Sequence, residues 1–322
     1  MRIAMLSSWH VHADGYAKEA IANGATIASV WDEIPERGRS WAEKLGVPFV
    51  EDYHDILKDK TVDGVIVCAP TNRHCEIITA AAKAGKHVFT EKVLALTNED
   101  AETIRQAVQS SGIHFTISFP HETNPRNLMA KRLIDSGELG KISYARVRNC
   151  HSGSIKDWLP PHFYDREQCG GGAMIDLGAH PMYLLQWFLG TPVSVQSCFL
   201  NVTDRPVEDN AVSVIEFGGG AIGVSETGFV SVADPYRIEI SGTKGYLQID
   251  RNGLEYQKDG SPWTRVDDAD IPDRRPSPLP YWIDSVGKNF KNEFYTIDEA
   301  CALTRLMVAA YGSYRTGMKT HY

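Results

Sequence analysis

The chain of 322 residues is 43% hydrophobic and 23% charged, with a formal net charge of −8, a composition that suits one large or two medium globular domains. Its acidic balance excludes the basic face that nucleic acid or an anionic membrane surface would require. Six cysteines without a CxxC pair read as reduced thiols, and no signal-type or span-length apolar stretch is present, so a cytoplasmic location is expected.

The first half alternates short apolar runs with helical stretches. Residues 2 to 7 (RIAMLS) predict a strand, "YAKEAIANG" from Tyr16 to Gly24 a helix, and "ATIASVWD" a second strand. A helix follows through "IPERGRSWAEKLG", then a short strand at "PFVE", a short helix at "YHDILKD" and a buried strand at "VDGVIVCAP". The helix "RHCEIITAAAKAG", the strand "HVFTEK", the helix "NEDAETIRQAVQSSG" opening at Thr97 or Asn98, and the strand "HFTISF" complete the series. Alternation of this kind marks βαβ units, so residues 1 to 122 read as an α/β domain with a doubly wound parallel sheet of the Rossmann type.

Residues 123 to 322 change character. After the helix "NPRNLMAKRLIDSG" come strands at "ISYARVRNCH", "VSVQSCFLNV", "NAVSVIEFG", "AIGVSETGFV", "YRIEISGT" and "GYLQIDRNG", with a single helix among them. Strands in succession predict an open, mostly antiparallel sheet in an α+β domain. The Pro-rich "IPDRRPSPLP" (271 to 280) reads as an ordered surface loop, and "TIDEACALTRLMVAAYGSYRTG" as a last helix capped by Thr296 and able to return to the first domain.

"LSSWHVHADG" (6 to 15) stands where a dinucleotide-binding turn belongs, yet has no glycine before Gly15. Backbone amides at a helix N-terminus bind a pyrophosphate without help from side chains. Ser7, Ser8, Trp9, His10, Val11 and His12 are therefore candidates for the cofactor loop, with Trp9 and His12 implying a reshaped turn. The stretch also contains an HxH pair like that on the first strand of zinc amidohydrolase barrels. Such a barrel needs further ligands on later parallel strands, which an antiparallel second half does not offer, and no metal is expected. Asp32, closing the second strand, suits adenosine ribose hydroxyls and repels a 2′-phosphate, favouring NAD, while Arg37 and Arg39 leave NADP open.

Four further stretches carry a family likeness: "APTNRH" with "AAKAGKHVFTEKVLALT" (69 to 97), "AKRLIDSGELGKI" (130 to 142), "GGGAMIDLGAHPMYLLQWFLG" (170 to 190) and "RIEISGTKGYLQI" (237 to 249). Through them the chain resembles the glucose-fructose oxidoreductase and inositol dehydrogenase (Gfo/Idh/MocA) family over nearly its whole length. The resemblance implies NAD(P)-dependent hydride transfer to or from a secondary hydroxyl of a sugar, sugar derivative or cyclitol. An NAD-retaining glycoside-cleaving enzyme and a cofactor-less binding or regulatory relative are the alternatives. The resemblance further implies a homodimer or homotetramer built through the second-domain sheet.

The resemblance also places cofactor contacts at Ala69, Pro70, Thr71, Asn72, His74, Glu91 and Lys92. It makes His180 the base that takes the hydroxyl proton, with Asp176 four residues earlier on the same helix face to hydrogen-bond the substrate. Lys92, at the carboxyl edge of the sheet, would hydrogen-bond the reacting hydroxyl and favour its alkoxide. Two positions depart from the pattern: Val93 stands where the family has proline, and Tyr183 where many relatives carry an acidic residue. His121, beside Glu122, and the insert residues Trp158, His162, Tyr164 and Arg166 are the substrate-binding candidates, since sugar rings stack on aromatics while their hydroxyls seek polar partners. Trp158 and Phe163 suit anchoring of that loop to the core equally well.

Overall fold

In the computed structural model, which describes residues 1–233, 235–271 and 275–322, the chain divides into two units. Met1–Ser118 with Pro276–Thr304 form the first, and Phe119–Arg275 with Arg305–Tyr322 the second.

The first unit runs β1 (Arg2–Leu6), α1 (Ala13–Ala22), β2 (Thr26–Trp31), α2 (Pro35–Leu45), α3 (Tyr53–Lys58), β3 (Gly64–Val67), α4 (His74–Lys83), β4 (His87–Thr90), α5 (Asn98–Ser111) and β5 (Phe115–Ile117). Its five strands are parallel in the order β2-β1-β3-β4-β5. The reversal of winding between β1 and β3 is the switch point at which such sheets bind ligands. Continuous burial from Ile3 to Leu6 in β1 and along β3 explains why they read as unbroken apolar runs. Thr97 caps α5 by accepting the Asp100 N–H at 3.0 Å.

Two expectations need correction here. The predicted strand "PFVE" contributes only an isolated bridge between Phe49 and Val30, because Pro48 has no amide with which to continue a ladder. The predicted loop at 271 to 280 ends in a helix: α9 covers Pro278–Lys288, with prolines in its first turn, where a missing N–H costs nothing. Residues 272 to 274 of that stretch lie outside the described residues. Trp282 of α9 is fully buried in the first unit's core, its ring centroid 6.0 Å from that of Phe89.

The second unit contains α6 (Pro125–Asp135), β6 (Ile142–Cys150), the single turn α7 (Arg166–Cys169), α8 (Ala179–Leu189), β7 (Pro192–Leu200), β8 (Asn210–Phe217), β9 (Ile222–Gly228), β10 (Tyr236–Gly242), β11 (Gly245–Asp250), β12 (Gly253–Lys258) and β13 (Thr264–Val266). α10 (Ile297–Thr316) is shared in sequence between the units and β14 (Thr320–His321) closes the chain. The sheet order is β13-β12-β11-β10-β6-β9-β8-β7-β14, with β6 and β9 parallel and the other neighbours antiparallel. α8 packs on β6 and β9. The strict alternation of β8 leaves Val212 and Val214 exposed on the opposite face. Among the described residues no helix is long and apolar enough to cross a membrane, and all six cysteines are free thiols.

Candidate functional site

At the carboxyl end of β1 the chain turns at Ser7, whose φ of +76° lies in the left-handed region that glycine ordinarily fills. The Ser7 N–H donates to the Trp31 carbonyl at 2.6 Å and the His10 N–H to the Cys68 carbonyl at 3.1 Å, which ties the loop to the ends of β2 and β3. Trp9 is buried, and its N–H donates to Ser7 Oγ at 3.0 Å. The tight turn of a dinucleotide loop thus forms without its glycine.

Asp32 is buried beside this turn. Its carboxylate accepts from the Ser8 N–H (2.9 Å) and hydroxyl (2.8 Å), from the Ile34 N–H (2.9 Å), and from Arg37 Nε (3.0 Å) and Nη2 (2.7 Å). Arg37 also pairs with Glu33, and Arg39 with Glu51 at 2.5 Å. Both arginines that could greet a 2′-phosphate therefore already face carboxylates.

Past β3, Ala69, Pro70 and Thr71 are buried and Asn72 is exposed. His74 is fully enclosed, Nε2 facing the Ala69 carbonyl (3.0 Å) and Nδ1 those of Val93 (3.1 Å) and Leu94 (3.2 Å). Burial pushes this imidazole below its ordinary value against the pull of those carbonyls. Its ring clamps the end of β3 to the segment after β4.

At that segment, the Glu91 carboxylate accepts from His12 Nδ1 at 2.7 Å and from the Tyr16 hydroxyl, lies 3.7 Å from His10 Nδ1, and takes the Lys92 N–H at 3.0 Å. Burial alone would raise Glu91, but the neighbouring His10 and His12 imidazoles hold it well below the usual carboxylate range. Burial and the adjacent Glu91 push the Tyr16 phenol well up. Lys92 is buried, and the Lys92–Val93 peptide is cis.

In the second unit, α7 ends at Gly170 (φ +85°), and the chain then squeezes past Glu208 and Tyr311. A Cβ on Gly172 would meet the Glu208 carbonyl oxygen at 2.1 Å, and one on Gly171 the Tyr311 hydroxyl at 2.0 Å. The buried Glu208 side chain accepts from Gly172 N–H (2.9 Å), Met174 N–H (3.1 Å) and Tyr311 OH (2.5 Å). Sequence reading passed over Glu208, a single acid before a strand. Glu208→Ala is expected to cost about 3 kcal/mol in denaturant unfolding by orphaning these donors, while Glu208→Gln, keeping an acceptor oxygen, costs about 1 kcal/mol or less. Equal losses for the two variants would refute this account.

Asp176 and His180 do not share one α-helix as the spacing predicted. Asp176 lies in a turn, its N–H donating to the Gly172 carbonyl at 3.1 Å, and α8 starts only at Ala179. Gly178 sets that boundary: its backbone passes so close to Met174 that a Cβ would lie 2.5 Å from the Met174 carbonyl oxygen. His180, in the first turn of α8, is buried with Nδ1 3.0 Å from the Tyr183 hydroxyl. That hydroxyl also accepts the His121 N–H at 3.0 Å, and the Tyr183 ring stacks on Phe119 with centroids 4.3 Å apart. The His121 ring sits between His180 (4.5 Å) and Tyr236 (5.1 Å). Asn127 fixes the cluster by donating to the His121 carbonyl (2.8 Å) and Tyr236 OH (2.7 Å).

A phenol oxygen can accept two hydrogen bonds. The Tyr183 hydroxyl accepts the His121 N–H and faces Nδ1 of His180, so one hydroxyl orients the imidazole through a single ring nitrogen. Tyr183 thus orients the His180 ring, and its place three residues after His180 on α8 was the signal available in sequence. Tyr183→Phe is expected to lower kcat about tenfold and move the pH midpoint of kcat assigned to the base, with KM nearly unchanged. An unmoved pH profile would leave the phenol a packing role only.

The insert residues separate by burial. Tyr164 is buried with Leu159, Phe163, Ala173, Val207 and Phe229, its ring covered by the Arg205 guanidinium at 4.2 Å, so it anchors the loop. Trp158 is exposed against His151 (4.7 Å), His162 is half-buried against Phe163 (5.2 Å), and Arg166 is exposed and donates to the Pro206 carbonyl at 3.0 Å.

A doubly wound parallel sheet carrying a left-handed turn after β1 and a buried aspartate after β2, joined to a unit with a mixed sheet and a buried histidine, defines an NAD-dependent oxidoreductase of the Rossmann class. Residues 6–119 match the family model described as "Oxidoreductase family, NAD-binding Rossmann fold", and residues 127–248 that of the GFO/IDH/MocA C-terminal domain. The chain belongs to the Gfo/Idh/MocA family. It is 31% identical over 248 residues to scyllo-inositol 2-dehydrogenase (NAD(+)) of Bacillus subtilis, covering 73% of this chain and 69% of that protein. It is 28% identical over 260 residues to myo-inositol 2-dehydrogenase of Thermotoga maritima, covering 78% and 75%. Among solved structures, levoglucosan dehydrogenase in complex with NADH and levoglucosan shares the fold with a TM-score of 0.85 at 18% identity, covering 100% of this chain and 99% of that one.

Proposed function

We propose that the protein oxidises or reduces a secondary hydroxyl of a sugar, sugar derivative or cyclitol. The observation that carries this reading is the buried His180, its imidazole oriented through Nδ1 by the Tyr183 hydroxyl. When bound, NAD takes or gives the hydride. The left-handed turn at Ser7 and the buried Asp32 fit that cofactor: the amides after β1 would hold the pyrophosphate, and Asp32 the ribose in exchange for Ser8 or Arg37. In the oxidative direction His180 takes the hydroxyl proton, Asp176 hydrogen-bonds the substrate and the Lys92 ammonium favours the alkoxide. His121 and the exposed Trp158 are the proposed substrate contacts, with His162 and Arg166 beside them.

The engagement of Arg37 and Arg39 by carboxylates supports NAD over NADP. Calorimetry is expected to give a Kd for NAD+ at least about 100-fold below that for NADP+, and Asp32→Ser, by releasing Arg37, to narrow that ratio about tenfold or more. A wild-type preference for NADP+ would overturn the assignment.

The free thiols and the absence of a membrane-length helix among the described residues support a cytoplasmic enzyme. The exposed Val212, Val214 and Ile222 of the open sheet support a homodimer or homotetramer. The test of function is an NADH-release screen across cyclitols, aldoses, anhydrosugars and glycosides. Net NADH with a free polyol or sugar is the expected result; release of sugar from a glycoside without net NADH would replace this reading with the cleaving reaction.

A further inference from the structure

We propose that His10, His12 and Glu91 form a three-donor site for a divalent first-row transition metal at the carboxyl ends of β1 and β4. One ligand atom from each of the three residues lies within 4.8 Å of the others. Glu91 Oε1 is 2.7 Å from His12 Nδ1 and 3.7 Å from His10 Nδ1. Metal–ligand bonds of about 2.1 Å place neighbouring donors about 3.0 to 3.4 Å apart, so shifts of under about an ångström bring the three onto one ion.

The chemistry of the donors selects the ion. Two imidazoles and one carboxylate suit zinc or ferrous-type ions, whereas magnesium and calcium prefer all-oxygen shells. Three protein ligands leave a coordination position for water or an anionic oxygen.

The surroundings are those of a ligand set. Glu91 is 2% exposed and is oriented by the Tyr16 hydroxyl and the Lys92 N–H, as outer partners orient a metal-bound carboxylate. Tyr16 is held in turn by Ser118 Oγ at 2.8 Å. His10 is 6% exposed, and its Nδ1 accepts the His12 N–H at a long 3.2 Å, a bond that coordination would displace. His12 is 48% exposed and gives an ion its way in.

Binding of a pyrophosphate by loop amides makes no use of these two imidazoles. The HxH pair is therefore a feature that the cofactor reading does not absorb. Its third donor comes from a residue 79 positions away from His12, at the end of another strand of the same parallel sheet. The expectation of no metal is thus replaced by this proposal.

The test uses the full-length protein, stripped with chelator and dialysed separately against zinc and cobalt(II). Elemental analysis is expected to give one equivalent per chain, and cobalt to show visible d–d bands without thiolate charge transfer. His12→Ala and Glu91→Gln are expected to weaken zinc binding about 100-fold or more, and a Cys75→Ser, Cys198→Ser double variant to leave it unchanged. Should Glu91→Gln fail to fold, His12→Ala at its half-exposed position decides. Substoichiometric metal, equal affinity in His12→Ala, or loss of the ion in the cysteine variant would each overturn the site. Parallel NAD+ titration separates the outcomes: metal bound without NAD+ binding would defeat the functional proposal and leave this one standing.

Discussion

His180→Ala is expected to reduce kcat on the best substrate of the screen by about 10³-fold, within the range that a positioned general acid or base contributes. A loss of that size corresponds to about 4 kcal/mol of transition-state stabilisation. His180 is buried, and the Tyr183 hydroxyl faces its Nδ1 while itself accepting the His121 N–H. Removing the imidazole leaves Tyr183 with that backbone donor and with Phe119 beneath its ring, so the fold around α8 survives. Circular dichroism and thermal melting are expected to match the parent chain, and NAD+ affinity to change less than threefold or so. If kcat falls by less than about tenfold, the proton goes elsewhere and the base assignment fails.

Lys92→Met is expected to lower kcat by about 10² to 10³-fold, the usual effect of removing one donor aimed at developing negative charge. Methionine keeps an unbranched stem in the buried position and deletes only the ammonium, so the loss reports charge and not packing. Arginine should not restore the rate, because its planar fork presents donors in a different geometry. Steady-state kinetics of both variants decide the matter. Recovery by Lys92→Arg to within about threefold of the parent would show that positive charge alone suffices and that placement is not critical.

How far these residues were legible from sequence depends on the range of the forces that place them. The βαβ alternation and the long antiparallel succession follow from local periodicity, and the sheets form as that periodicity dictates. The helix at Pro278–Lys288 was masked because prolines dominate its first turn, and only the burial of Trp282 against the first unit's core reveals it as structural. The turn at Asp176 was misread as helix since spacing alone cannot show that the Gly178 backbone runs against Met174.

The sequence by itself determined the fold class and the cofactor class, because these rest on short motifs and on periodic burial, and it put forward Asp32, Lys92 and His180 as candidates. Only the tertiary structure decided what each side chain meets. The Tyr183 bond to His121 spans 62 residues, Glu208 reaches back 36 to Gly172, and Glu91 meets His12 across 79. Such contacts arise from chain crossings and buried hydrogen-bond satisfaction, which no local pattern encodes. For that reason a loop that read as a dinucleotide turn lacking its glycines proves to keep the turn at Ser7 and to set two histidines against a buried carboxylate.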